Sequence, residues 1–221
     1  MRKMPPSFFN NCNASTNGEM LLWSVLKPNC KVMFDVGCRE DDYYVKHQNE
    51  TQFHLFEPHP SFFNVIASKV SAYSNVKVNN IGLGSTESII PYYEKAQSFV
   101  NRWNESPSRA IPITTIDTYC TDNNINHIDF LKIDTEGFEI DVLMGCKNKL
   151  NTITHIQFEY GGTYPDRGVT LSDVYTLLNG RHIFLLGSDG LYHEPLPKEH
   201  LQYSNYLATN NPQQVSSIIK H

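Results

Sequence analysis

The stretch that decides the fold is Phe130-Leu131-Lys132-Ile133-Asp134-Thr135-Glu136-Gly137-Phe138-Glu139. An apolar run ends in a carboxylate, and a second acid and a glycine follow before a helical pattern begins. The same grammar of apolar strand, acid and turn recurs upstream in Val32-Met33-Phe34-Asp35-Val36-Gly37 and in Phe53-His54-Leu55-Phe56-Glu57-Pro58. In open α/β sheets, ligands bind outside the carboxyl ends of the strands. Three acid-tipped strands therefore suggest one acidic ligand pocket along one edge of a sheet.

Working outward, Lys31–Val36, Gln52–Glu57, Ile128–Asp134 and Ile153–Tyr160 read as buried strands, and Asn75–Asn79 alternates apolar and polar residues. Ile89–Tyr93 and Ile111–Ile116 read as additional strands around a polar loop, 94–109, which has the length of a functional insertion. Helical periods run through Glu19–Leu26, Ser61–Tyr73, Asp117–Asn124, Glu136–Leu150 and Leu171–Leu178. Two final strands, His182–Leu186 and Tyr203–Ala208, follow without a clear helix between them, which suggests an antiparallel edge. Strands alternating with helices predict a mostly parallel sheet of seven strands, covered on both faces. Residues 1–28 are expected to form an N-terminal arm and short helix, 29–210 a single domain, and 211–221 a frayed C-terminal tail.

Composition narrows the class. A chain of 221 residues with 40% hydrophobic and 19% charged residues suits one soluble domain with a real core. The formal net charge of −5 argues against a broad electrostatic grip on nucleic acid or an anionic membrane. No apolar run approaches the ~20 residues of a membrane span. The N-terminal residues carry no apolar core of a secretory signal. The five cysteines (Cys12, Cys30, Cys38, Cys120, Cys146) are dispersed without a Cys-x-x-Cys, as expected for reduced thiols in a cytoplasmic protein. Asn-x-Ser/Thr triplets at Asn13, Asn49 and Asn104 are read as chance matches.

The acids carry the chemistry. Gly37, at the end of the first strand, permits close backbone approach to a ligand, and a helix beginning there would favour a carboxylate or phosphate. Gly-x-Gly-x-x-Gly is absent, because Cys38-Arg39-Glu40-Asp41 follows Gly37; that disfavours a dinucleotide and a nicotinamide-dependent oxidoreductase. A ligand with a small carboxylate and a cationic amine fits better. Glu57 lies 22 residues after Asp35, where a carboxylate accepts two hydrogen bonds from a ribose diol.

Taken in order, Asp35-Val36-Gly37, Phe56-Glu57-Pro58, Ile81-Gly82, Thr115-Ile116-Asp117, the Lys132–Glu139 block and Phe158-Glu159 resemble the FkbM-type methyltransferases over roughly residues 31 to 160. The resemblance implies a class I, Rossmann-like fold that uses S-adenosylmethionine, generally for O-methylation of sugar or polyketide-type hydroxyls. Asp35 and Gly37 would then match the motif that holds the methionine part, with Cys38 and Arg39 beside them. Glu57 would match the ribose acid, with Pro58 and His59 lining the adenosine. Asn80 and Ile81 would match the adenine-side turn, and Asp134 the acid beside the reactive methyl. The family usually has Asp-Val-Gly-Ala-Asn-x-Gly; here Cys38-Arg39-Glu40-Asp41 replaces the small residue, the Asn and the second Gly. Arg39 could repel a sulfonium or bind the methionine carboxylate as a fork donor.

For a general base, Asp134 and Glu159 stand at strand ends, with His155 and His59 as weaker candidates and His155 read as a core histidine. Glu136 and Glu139 flank a helix start, where acids stabilise the helix dipole by ~0.3–1 kcal/mol. Asp134 and Glu136 have the hard oxygens a divalent cation takes, but no third ligand stands near them in sequence, so no metal is assigned. The acceptor is expected to be a small molecule or carbohydrate, contacted by the 94–109 loop and residues 160–167. Tyr92, Tyr93, Phe99, Trp103, Tyr160 and Tyr164 are candidate stacking surfaces, and Arg102, Arg109 and Arg167 candidate anion partners. The competing reading is a non-catalytic binding module whose cofactor loop has degenerated at Cys38–Asp41. Oligomeric state is not legible.

Overall fold

The computed structural model describes residue 8, residues 11–46 and residues 50–220; Asn49 lies outside them. Among these residues nine strands form the main sheet, built around five parallel ones: β1 (Val32–Val36), β2 (Gln52–Phe56), β3 (Val76–Asn79), β7 (Ile128–Ile133) and β8 (Ile153–Tyr160). Four of β1's five residues, and five of β7's six, are buried, as a strand covered on both faces requires. Beyond β8 the sheet continues with β11 (Ser204–Thr209), which is antiparallel to both β8 and β9 (His182–Gly187). The hairpin strand β10 (Gly190–His193) and β12 (Ile219–Lys220) complete the edge. The spatial order is β12-β10-β9-β11-β8-β7-β1-β2-β3.

The antiparallel edge is present as expected, but the sheet has nine strands instead of seven. The two additional strands, β10 and β12, are too short to carry a pattern. The four residues of β10 leave β9 through a tight turn, and the two of β12 lie in the expected tail. That segment is ordered into the fold: Pro212–Ile218 is a 3-10 helix with Val215 and Ile218 buried, and Ile219 pairs with Leu191. The strands β4 (Gly82–Leu83), β5 (Ser88–Tyr92) and β6 (Arg109–Thr114) form a separate three-stranded sheet.

Helix α1 (Glu19–Leu26) lays Leu22, Trp23 and Leu26 on one face of the main sheet. There Trp23 stacks on Phe130 at 6.2 Å and meets Tyr44 edge-on at 5.5 Å. Among the described residues helix α2 covers Tyr43–Lys46. Helix α3 (Pro60–Lys69) starts with proline in its first turn, where the missing N–H costs nothing. The opposite face is covered by α4 (Ile116–Asp122), α5 (Glu139–Met144) and α6 (Leu171–Leu177), against Phe34, Val36, Leu131, Ile133, Ile156 and Phe158. Thr115 caps α4, and a Thr170–Asp173 capping box starts α6. Helix α5 is shorter than the expected 136–150 because Glu136 and Gly137 adopt left-handed φ values of 55° and 102°, which a helix cannot contain.

Candidate active site

Strand order reverses between β1 and β7: β2 and β3 run out on one side, β8 on the other. Such a switch point leaves a crevice beyond the strands' carboxyl ends. A cleft of about 1190 Å³, open to solvent, occupies it. Asp35, Glu57, Asp134 and Glu159, from β1, β2, β7 and β8 or the turns just after them, all line it.

Gly37 makes the crevice possible. Its φ is +83°, and a Cβ on it would stand 1.9 Å from the Asp134 carbonyl oxygen. Only glycine lets the turn after β1 pass so close to the turn after β7. The following amides are used inside the protein: Gly37 N and Cys38 N donate to Phe56 O, and Arg39 N donates to Glu57 Oε2 at 2.8 Å. Helix α2 begins only at Tyr43, six residues after Gly37, so the helix N-terminus expected at the end of β1 does not stand there. The Arg39 guanidinium lies 4.9 Å from the centre of the Phe62 ring, and both residues line the cleft.

Glu57 is 3% exposed, and its other oxygen accepts from His59 N at 2.7 Å. Burial outweighs these two amide hydrogen bonds and pushes its carboxyl up to about 7. Each oxygen keeps a further lone pair for a ligand donor. Pro58 and Ile81 line the cleft, but His59 and Asn80 do not. His59 Nε2 turns to Glu94 at 2.9 Å, and Asn80 Nδ2 donates to the Glu57 and Pro58 carbonyls. Both brace the loop after β2.

Beneath the cleft, Lys132 is 7% exposed, with Nζ 3.2 Å from Asp134 and 3.6 Å from Asp35. Burial opposes its charge, but the two carboxylates win, and its pKa stands well above the usual lysine value. Asp35 is 3% exposed; burial pushes its carboxyl up to about 6 even with Lys132 pulling it down.

The turn after β7 is fixed by Glu139, a residue to which the sequence assigned no more than a helix-dipole role. Its buried carboxylate accepts from Thr135 N at 2.8 Å, Thr135 Oγ1 at 3.0 Å and Gly137 N at 3.0 Å. Ser98 Oγ donates to Glu136 O, tying the 94–109 loop to the same turn. One carboxylate oxygen each from Asp134, Glu136 and Glu159 lies within 4.8 Å of the others. The structure thus supplies, from β8, the third acid that sequence spacing did not reveal.

Gln97, Ser98, Phe99 and Tyr92 line the cleft, as the loop assignment anticipated. Other expectations need correction. Tyr160 and Tyr164 sit in the core, donating to Glu199 at 2.6 Å and to the Glu159 carbonyl at 2.9 Å. Arg102 pairs with Asp166, Arg109 with Glu94 and Arg167 with Asp141, so internal acids already hold all three arginines. Trp103 lies on the surface, 57% exposed. His155 is the core residue the sequence suggested, buried and bonded to Gln214 and Thr209, and burial lowers its pKa. The sequence missed the N-terminal segment altogether: Cys12, Ala14, Asn17 and Glu19 form part of the cleft wall, with Tyr44 from α2.

Comparison with known proteins places these features. The family described as "Methyltransferase FkbM domain" matches residues 35–186, more than half of the chain. No curated protein matches it in sequence. Among solved structures, the fold is similar to Methyltransferase FkbM from Methylobacillus flagellatus KT, with a TM-score of 0.53 and 15% identity. That similarity covers 80% of this chain but only 43% of the other, so the chain spans less than half of that protein's length. An rRNA methylase from Streptococcus thermophilus has a TM-score of 0.50 and 9% identity, over 87% of this chain and 95% of that one. The N-terminal domain of EvdMO1 with SAH bound has a TM-score of 0.50 and 10% identity, over 90% and 81%. At these identities the likeness concerns fold.

Proposed function

The chain belongs to the FkbM methyltransferase family, and from that premise we propose that it is an S-adenosylmethionine-dependent O-methyltransferase acting on a hydroxyl of a small molecule or glycan. The observation that carries the reading is the convergence of Asp35, Glu57 and Asp134 on one cleft at the sheet's switch point. The residues present fit the group. Glu57 offers two oxygens with spare lone pairs to a ribose diol, and Ile81, Leu83 and Phe62 offer apolar surface to an adenine. Asp35 faces the methionine end, where the Arg39 fork is the cation for a carboxylate, because the amides of residues 37–39 are taken.

S-adenosylmethionine supplies, when bound, a methyl group made electrophilic by its sulfonium. The protein's work is placement, and good alignment of reacting atoms contributes ~7–11 kcal/mol. Asp134 and Glu159 stand together at the cleft wall, where either carboxylate accepts the proton of an acceptor hydroxyl, a contribution of ~10²–10⁴-fold. Tyr92 and Phe99, 5.6 Å apart and edge-on, give a sugar or other polar ring an aromatic wall. The buried Cys30, Cys38, Cys120 and Cys146 carry free thiols, which suits a reducing, cytoplasmic setting.

The internally satisfied amides of Gly37, Cys38 and Arg39 favour a second reading, a binding module that has lost its cofactor. Calorimetric titration with S-adenosylhomocysteine, with and without magnesium, separates the two. Micromolar binding supports the methyltransferase, and binding that needs magnesium assigns the Asp134–Glu136–Glu159 cluster to a cation. No binding at millimolar concentration by folded protein overturns the methyltransferase reading.

A further inference from the structure

Glu19 lies outside the family-matching segment, on the first turn of α1, yet it forms part of the cleft wall. It is 6% exposed. Its Oε1 accepts from Asn17 Nδ2 at 3.2 Å and Asn205 Nδ2 at 3.0 Å, and its Oε2 accepts from the Tyr44 hydroxyl at 3.2 Å. All three donors are neutral. Among the described residues, no Lys, Arg or His nitrogen lies within ion-pair distance of it.

The segment carrying Glu19 is held firmly. Gly18 has φ +98°, and a Cβ there would stand 2.3 Å from the Gly187 carbonyl oxygen, so the turn into α1 rests directly on the end of β9. Asn205, on β11, ties the carboxylate to the sheet. Glu19 is therefore a fixed carboxyl group, not a surface acid that happens to fold inward.

A second, independent group points to the same space. Asp35 Oδ1 is buried, lines the cleft and has no hydrogen-bond partner. The cation beside it, Lys132, is 3.6 Å away, beyond hydrogen-bond reach, and is shared with Asp134 at 3.2 Å. Lys132 is thus divided between Asp35 and Asp134, and the salt bridges of the described residues give Glu19 no cation of its own. Buried charge without a counter-ion is costly, so a pocket built this way is completed by a cationic ligand.

We infer that Glu19, together with Asp35, holds the α-ammonium of the methionine moiety of the cofactor, making α1 a part of the binding site that the family domain itself does not supply. The inference rests on the cofactor reading above and extends it to a residue 16 positions before the family match begins. Glu19 is a binding residue here; it takes no part in the chemistry at the methyl group.

The test uses the full chain, calorimetry and three ligands. S-adenosylhomocysteine carries the ammonium, its desamino analogue lacks only that group, and 5′-methylthioadenosine lacks the whole amino-acid part. Unaltered protein is expected to bind the desamino analogue at least tenfold more weakly than S-adenosylhomocysteine. Glu19→Gln is expected to weaken S-adenosylhomocysteine at least tenfold and to leave methylthioadenosine within twofold. Equal losses for both ligands, as a merely structural role predicts, would overturn the inference, as would no loss for either. Should the variant fail to fold, the unaltered protein still decides, because equal affinity for S-adenosylhomocysteine and its desamino analogue refutes an ammonium site. Unaltered protein that binds neither nucleoside ligand refutes the cofactor reading itself, a different result from the others.

Discussion

Replacing Lys132 by methionine removes the ammonium that sits under the cleft while keeping most of the side-chain volume. At 3.2 and 3.6 Å from Asp134 and Asp35, its attraction to each is ~5 kcal/mol at an effective dielectric constant of about 20. Desolvation of three buried or half-buried charges cancels part of this, and removing one partner of a buried ion pair typically costs ~3–5 kcal/mol. The cost should depend on pH. Asp35 has its folded pKa raised from 3.8 to about 6, so its contribution to stability is full below about 3.8 and is lost as pH rises through about 6. Across that shift the loss is roughly 3 kcal/mol in the unaltered protein at ~1.4 kcal/mol per unit. In Lys132→Met the pKa of Asp35 climbs further, and the added penalty appears only above pH 6, where the unaltered protein would have ionised it. Urea unfolding at pH 5 and pH 8 measures this: a destabilisation of ~1–2 kcal/mol at pH 5 should grow to ~3–5 kcal/mol at pH 8. An equal ΔΔG at the two pH values would mean that Lys132 merely fills space, and the electrostatic account of the cleft floor would be wrong.

Other substitutions probe separate links. Gly37→Ala drives a Cβ into the Asp134 carbonyl at 1.9 Å from a left-handed turn, so thermal melting should show a loss of several degrees or failure to fold. Glu57→Gln keeps an acceptor for one of the two backbone amides but halves what is offered to a ribose diol. S-adenosylhomocysteine affinity should fall ~10–100-fold by calorimetry, while the amide left without an acceptor lowers the melting temperature; unchanged affinity would remove Glu57 from the site. Trp23→Ala empties the space between α1 and Phe130, and chemical denaturation should register a loss of ~3–5 kcal/mol; a change below 1 kcal/mol would make α1 a detachable arm.

Sequence alone determined the parallel half of the sheet and its acids. Buried strands such as Phe130–Ile133 announce themselves as continuous apolar runs, and the acids at their ends need no partner to be recognised. The same local logic singled out Asp35, Glu57 and Asp134 and the 94–109 loop, of which residues 97–99 line the cleft. It failed wherever the deciding contact was remote in the chain. Strands of two to four residues, β10 and β12, have too little pattern to read and exist because neighbouring backbone offers hydrogen bonds. His59, Asn80, Tyr160 and Tyr164 sit in suggestive places along the chain, but packing turned them to Glu94, to loop carbonyls and into the core. Glu159 came to stand beside Glu136 only because β7 and β8 pair in parallel register. Glu19 joined Asp35 at the cleft only because Trp23 buries α1 against Phe130 and Gly18 rests on Gly187. Periodicity and motif are properties of neighbouring residues, whereas which charges share a pocket is fixed by strand order and helix packing, which no short stretch of chain contains.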